Sequence, residues 1–157
     1  MRDFNKVKPT IWQAGWFASL GMSDRYLYLY FLTCPQQNSA GCFVLPDAYA
    51  CADLGGWDVK KYRETKEALE VGAELITTDA NTNEVLINNW FVDNCPMNQK
   101  HYLGTTRLIS GIQSDALRLK AEEGLAEVWK RTHPPTAPTP TGSNVSPELL
   151  AKLQGRR

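Results

Sequence analysis

The stretch from residue 57 to residue 87 constrains the fold of this chain more than any other. Gly55-Gly56 predicts a turn, after which Asp58 can cap a helix by accepting a hydrogen bond from a free backbone N–H. The β-prone segment 75–78, the turn-rich segment 79–83 and the segment 85–87 then predict a hairpin. A helix that leads into a hairpin is the second half of a winged helix-turn-helix. At helical spacing its buried face comprises Val59, Tyr62, the Lys66 stem, Leu69 and Ala73.

Upstream segments complete that pattern. Residues 23–34 combine a Ser-Asp start with an apolar run that stops at Pro35, which favours a helix over the competing interpretation as a strand. A short strand at 42–45 and a small helix at 47–54 follow. Trp12 and Trp16 precede these elements, and their apolar neighbours favour packing over the core rather than a base-stacking role.

The C-terminal third divides into a helical part and a tail. Residues 98–131 are helix-prone, with Ser114-Asp115 as the start of a second helix, and their charges of both signs favour packing or self-association over membrane binding. The predicted organisation is a winged helix-turn-helix domain over 1–95, a helical extension over 96–131, a Pro/Thr-rich linker over 132–145 and a short tail helix over 146–157. The fold class is therefore mainly α with a small β-hairpin, ending in a flexible tail.

Composition limits the function further. The 157 residues suffice for one buried core, and 17 basic against 17 acidic residues give zero net charge, so any DNA-binding face depends on uneven charge placement. No apolar run suggests a signal peptide or a membrane span. Cys34, Cys42, Cys51 and Cys95 form no C-x-x-C pair, which predicts reduced cysteines in a cytoplasmic protein.

Catalytic motifs are lacking in the sequence. His101 and His133 are the only histidines, and Gly55-Gly56 is not followed by the Gly-Lys-Ser/Thr of a phosphate-binding loop. The carboxylates are scattered rather than grouped for two metal ions. We therefore expect no enzymatic activity, no cofactor and no metal site.

Five phrases occur in order along roughly residues 8–115: Trp12…Trp16-Phe17-Ala-Ser-Leu20, Leu27-Tyr-Leu-Tyr-Phe-Leu-Thr33, Gly41-Cys-Phe-Val-Leu-Pro46, Leu54-Gly55, and Leu75-Ile76 followed by Val85-Leu-Ile-Asn-Asn-Trp-Phe91. Together they resemble the N-terminal winged-helix domain of phage replisome-organiser and DnaD-like replication-initiation proteins. The resemblance implies a DNA-binding or assembly module that acts at a phage or plasmid origin.

The candidate DNA-contact residues follow from helix-turn-helix docking, in which the start of the second helix reaches base edges and phosphates. The alternative is a solvated helix surface with Lys60–Glu64 and Arg63–Glu67 ion pairs. The expected partner is double-stranded DNA, contacted by Asp58, Lys60, Lys61, Arg63 and Glu64, with Lys6, Lys8 and Arg25 as secondary candidates.

A second function class stays open. Segment 77–84 carries no Lys or Arg but does carry Asp79 and Glu84, which favours a winged helix used as a protein–protein adaptor. A transcriptional regulator on the same fold is a further alternative. Partners would then be a second copy of the chain through the 97–131 helix, or a replication protein through 146–153, where the tail is either a docking peptide or a frayed end.

Overall fold

The computed structural model describes residues 5–134, which form short helices around a small sheet. None of the helices in this range is long and apolar enough to cross a lipid bilayer. In chain order the elements are a 3-10 turn Pro9–Gln13, α1 Gly15–Ser19, α2 Met22–Thr33, β1 Cys42–Val44, α3 Asp47–Asp53, α4 Val59–Glu67, a π-helical turn Ala68–Gly72, β2 Ile76–Asp79, β3 Glu84–Ile87, α5 Trp90–Asn94, α6 Gln99–Ser110 and α7 Asp115–Thr132.

The predicted mixture of helices with a small hairpin is confirmed, and the 23–34 segment is a helix rather than a strand. Caps predicted from single residues are also present. Asp58 accepts the Lys61 N–H at 2.7 Å, and Ser114 begins α7 by accepting from the Leu117 N–H. The Pro/Thr-rich linker from 135 onward and the tail helix lie outside the described residues.

The sheet has three antiparallel strands in the order β1-β3-β2, because the predicted strand near residue 42 pairs with the hairpin. Directly paired residues share a face of the sheet. Phe43 and Val85 are paired and face α2, whose Phe31 lies 6.4 Å from Phe43 between ring centroids. Glu84 and its partner Asp79 face the opposite way, toward the start of α7.

Helices α2 and α4 cover the first face of the sheet. Phe31 and Tyr62 are both fully buried and meet at 6.5 Å between ring centroids, and Leu69 in the π-helical turn is equally buried. The predicted buried face of α4 is wrong at Val59, which is 42% exposed because the helix begins there, beyond the edge of the core. Thr65 takes a buried position instead.

Helix α7 covers the second face, and α6 packs against α7. Leu86 of β3 is buried there together with Leu117, Ala121, Leu125 and Val128 of α7. The predicted apolar stripe of 102–129 is only partly buried, since Leu108 and Leu119 are 45% and 56% exposed. All four cysteines are free, and burial raises the pKa of the Cys34 thiol to about 11.

One glycine is required by close packing. Gly41 has φ +68°, and a Cβ there would lie 2.2 Å from the Cγ of Trp90. The Trp90 indole N–H donates to the Ser39 carbonyl at 3.0 Å, which holds the ring against this turn. The link between α2 and β1 is thereby fixed to the start of α5.

Candidate nucleic-acid interface

The turn before α4 places the candidate helix at the surface. Gly55 and Gly56 both have positive φ, at +52° and +82°, which residues other than glycine rarely adopt. They reverse the chain between α3 and α4. Trp57 follows, and the Lys61 ammonium lies 4.3 Å from the centroid of its ring. This cation–π contact orders the first turn of α4.

The three basic candidates on α4 lie in its first two turns. The Lys60 side chain is 83% exposed and that of Arg63 is 68% exposed, while Lys61 is exposed beside Trp57. Lys60, Lys61 and Arg63 are therefore all exposed near the start of α4, where they are accessible to a ligand.

The two acidic candidates have different surroundings. The Asp58 carboxylate accepts the Lys61 backbone N–H, so its role is to cap the helix. Glu64 is 65% exposed, and its Oε1 lies 3.9 Å from Lys60 Nζ, as the alternative of a solvated surface predicts. Surface pairs of this kind contribute little to stability. Glu64 therefore leaves Lys60 free to exchange partners.

Arg63 has a partner that the sequence did not indicate. The predicted Arg63–Glu67 pair is replaced by a contact between Arg63 Nε and the Asp47 carboxylate at 2.5 Å. Lys66 Nζ lies 3.0 Å from the same carboxylate. Burial opposes ionisation of Asp47, but the hydrogen bonds from Arg63 and Lys66 outweigh it and lower the pKa of its carboxyl. Asp47 thus ties α3 to α4.

The secondary candidates lie on other parts of the surface. Lys8 pairs with Asp93 of α5, and the exposed Lys6 lines a surface pocket together with Lys8 and Asp93. The Arg25 guanidinium donates to the Leu20 carbonyl at 2.9 Å and to the Ala18 carbonyl, so it closes the end of α1. The structure does not bring these three residues to the first turn of α4.

The two acidic residues of the hairpin, Asp79 and Glu84, have hydrogen-bond partners within the chain. Glu84 is 3% exposed, and its carboxylate accepts the Gln113 and Ser114 backbone N–H groups at 2.9 and 2.8 Å. Hydrogen bonds from the Ser114 hydroxyl and the Asn81 N–H lower the pKa of Asp79. Through its bonds to Gln113 and Ser114, Glu84 holds the segment between α6 and α7 against the hairpin.

A cation of α7 reaches the hairpin. The Lys120 ammonium donates to the Thr77 hydroxyl at 2.7 Å. Sequence reasoning missed Lys120 and Asp47, because both contacts join residues far apart in the chain. It also missed the stacking of Lys61 on Trp57, although their spacing of four residues in the sequence was a usable signal.

Within residues 5–134, no three His, Cys, Asp or Glu side chains come together in an arrangement that suits a metal ion. His101 lies in the first turn of α6, where its backbone N–H donates to the Asn98 side-chain cap at 2.9 Å. His133 stacks on Trp129 at 3.7 Å between ring centroids. The basic surface of α4 is therefore the site with the clearest ligand chemistry.

Comparisons with known proteins add no relative. No protein-family profile, no curated protein and no solved structure matches this chain.

Proposed function

We propose that this chain is a duplex-DNA-binding protein with a winged helix-turn-helix fold, in which α4 is the recognition helix and the β2–β3 hairpin is the wing. The order α2, β1, α3, α4, β2, β3 supports this interpretation, as does the tight Gly55-Gly56 turn between the two helices. In this arrangement the N-terminal part of the second helix enters the major groove.

One observation carries the proposal: Lys60, Lys61 and Arg63 are exposed together in the first two turns of α4. Lysine and arginine bind phosphates and the acceptor edge of guanine. Glu84, one of the two acidic residues of the wing, is buried and therefore does not present its charge to DNA phosphates. Because the chain has no net positive charge, we expect modest affinity. Binding through phosphate contacts should weaken as salt rises, because each contact releases counterions.

The biological setting in this proposal is phage-type DNA replication initiation in the cytoplasm. It rests on the resemblance to replisome-organiser and DnaD-like proteins, and free thiols such as these four cysteines suit a reducing compartment. A transcriptional regulator would use the same helix, since the fold does not define the process.

The second candidate function is a protein–protein adaptor, and exposed leucines favour it. Leu103 and Leu108 of α6 and Leu119 of α7 are 51%, 45% and 56% exposed. A second copy of the chain bound through the 97–131 helices would cover such residues. The proposed partner segment 146–153 lies outside the described residues.

The test is a titration of duplex DNA at roughly 50 and 200 mM salt, with the parent and a Lys60→Ala/Lys61→Ala/Arg63→Ala variant. Each phosphate contact contributes about 0.9 to the slope of log affinity against log salt. If the variant loses three contacts, its fall in affinity between the two salt concentrations should be up to about 40-fold smaller than that of the parent. We expect the variant to bind more weakly and with a flatter slope.

The matched control is Lys100→Ala/Arg107→Ala/Lys130→Ala, which removes the same charge from exposed positions on α6 and α7. It should keep most of the parental affinity and slope. Equal losses in the two variants would mean that net charge, rather than α4, governs binding. No duplex binding by the parent would overturn the proposal and favour the adaptor.

A further inference from the structure

The two N-terminal tryptophans are more exposed than their sequence context predicts. Trp12 is 60% exposed and Trp16 is 45% exposed, although the apolar residues around them predicted packing over the core. The neighbour that is buried is Phe17, at 1% exposure. Exposing two indoles forgoes much of the stabilisation that their burial would give, which marks this surface as one that binds a ligand.

Both indoles pack edge-to-face against the buried ring of Phe17. The Trp12 and Trp16 ring centroids lie 5.3 and 5.6 Å from that of Phe17, at interplanar angles of 88° and 83°. Trp16 also meets Tyr28 edge-to-face at 5.6 Å. The two rings therefore flank one buried anchor, and one short strand can reach both. We call Trp12 and Trp16 the tryptophan pair.

Basic side chains lie beside Trp16, one member of the tryptophan pair. Lys6 and Lys8 line a pocket of about 250 Å³ together with Trp16 and Tyr28. Lys8 pairs there with Asp93, a contact between half-exposed side chains that a phosphate can replace. Exposed aromatic rings next to cations suit a ligand that alternates flat bases with phosphates, which is single-stranded nucleic acid.

The tryptophan pair is separate from the basic surface of α4. Trp16 shares a second pocket with Ala68, Gly72 and Ala73, which follow α4, whereas Lys60 and Lys61 lie in its first turn. We propose that the tryptophan pair, with Lys6 and Lys8, is a binding site for single-stranded nucleic acid. This site is additional to the duplex interface and does not depend on it.

The test is a fluorescence-anisotropy titration of dye-labelled oligothymidylate, because this signal reports binding without relying on the tryptophans that the variants remove. The variants are Trp12→Ala, Trp12→Ala/Trp16→Ala and Lys6→Ala/Lys8→Ala. We expect each lost tryptophan to weaken binding at least about fivefold and the lysine variant to flatten the salt dependence. Trp12→Phe should retain part of the affinity, since its ring still stacks.

Leu119→Ala is the matched control, because it removes a side chain of similar exposure from α7. Circular dichroism checks that every variant is folded. If Trp16→Ala disturbs the Tyr28 contact, the more exposed Trp12 still tests the proposal alone. Parental affinity in folded Trp12→Ala/Trp16→Ala overturns the site, as does a parent that binds a proline-rich peptide but no oligothymidylate.

The proposed duplex interface and the proposed single-strand site can be tested separately. The Lys60→Ala/Lys61→Ala/Arg63→Ala variant should bind oligothymidylate as the parent does. Loss of both activities in that variant would show one shared surface and overturn the separate site. Retention of single-strand binding without any duplex binding by the parent would support the tryptophan pair while overturning the proposed function.

Discussion

The two faces of the sheet are covered by helices in different ways. The face toward α2 and α4 is apolar and aromatic, with Phe31, Phe43 and Tyr62 in contact. The face toward α6 and α7 combines aliphatic residues with the buried carboxylate of Glu84. The polar contacts of α4 lie instead at its outer edge, where Asp47 joins Arg63 and Lys66.

This difference teaches how each helix layer is positioned. Apolar packing tolerates small shifts, so it stabilises α2 and α4 without specifying every atom. Hydrogen bonds from two backbone N–H groups to a buried carboxylate are directional, and leaving those groups unpaired costs folding free energy. Glu84 therefore specifies where the corner between α6 and α7 sits on the hairpin.

The largest effect is expected on the aromatic face. Phe31→Ala removes a fully buried ring that contacts Phe43 and Tyr62, and it should lower the free energy of unfolding by about 3–5 kcal/mol. Urea denaturation measures this loss. Leu108→Ala, at a 45% exposed position of α6, should change stability by less than about 0.5 kcal/mol. Similar losses of stability in the two variants would contradict the conclusion that the aromatic face contributes more than the exposed leucines of α6.

An intermediate effect is expected from Glu84→Gln on the second face. The amide keeps the size of the side chain, but its single oxygen can replace only one of the two carboxylate acceptors and its NH2 group cannot accept the other N–H, so we expect a loss of about 1.5–3 kcal/mol. Amide hydrogen exchange should accelerate at Gln113 and Ser114. Thr82→Ala, which removes only the hydroxyl bond to Glu84, is the milder control. Unchanged protection at both amides would refute the directional role.

The smallest effect is expected from Asp47→Asn at the outer edge of α4. Because Arg63 is 68% exposed, solvent screening limits the loss to about 0.5–1.5 kcal/mol at neutral pH. The released Arg63 should bind duplex DNA more tightly. Denaturation and DNA titration measure the two changes.

The pH dependence of that variant follows from the lowered pKa of Asp47. A carboxyl whose folded-state pKa is depressed stabilises the protein above its unfolded pKa of about 3.9 and loses that effect as pH falls through the folded value. The parent and Asp47→Asn should therefore converge in stability in strong acid. Glu64→Gln, on the exposed Lys60 pair, should match the parent throughout. A deficit of Asp47→Asn that is constant with pH would argue against the ion pairs.

Local features of the fold were predictable from the sequence. The Asp58 and Ser114 caps, the stop of α2 near Pro35 and the hairpin at 76–87 depend on neighbouring residues alone. The exposed cations Lys60, Lys61 and Arg63 were likewise predicted as surface residues, since they fall opposite Tyr62 on one helix.

The remaining features depended on contacts between distant residues. Arg63 meets Asp47 rather than Glu67, and Glu84 turns inward because N–H groups 29 and 30 residues later are available to it. Val59 is exposed although helical spacing placed it on the buried face of α4, and the tryptophan pair is exposed despite its apolar neighbours in the sequence. No local pattern specifies such partners.

The sequence by itself determined the elements of this protein, because helix caps, turns and periodicity act within about one turn of the chain. Only the tertiary structure decided which side chains those elements leave to a ligand. Packing brings an acid, a cation or a ring from a remote segment to each position, and that neighbour sets whether the side chain is buried, paired or free.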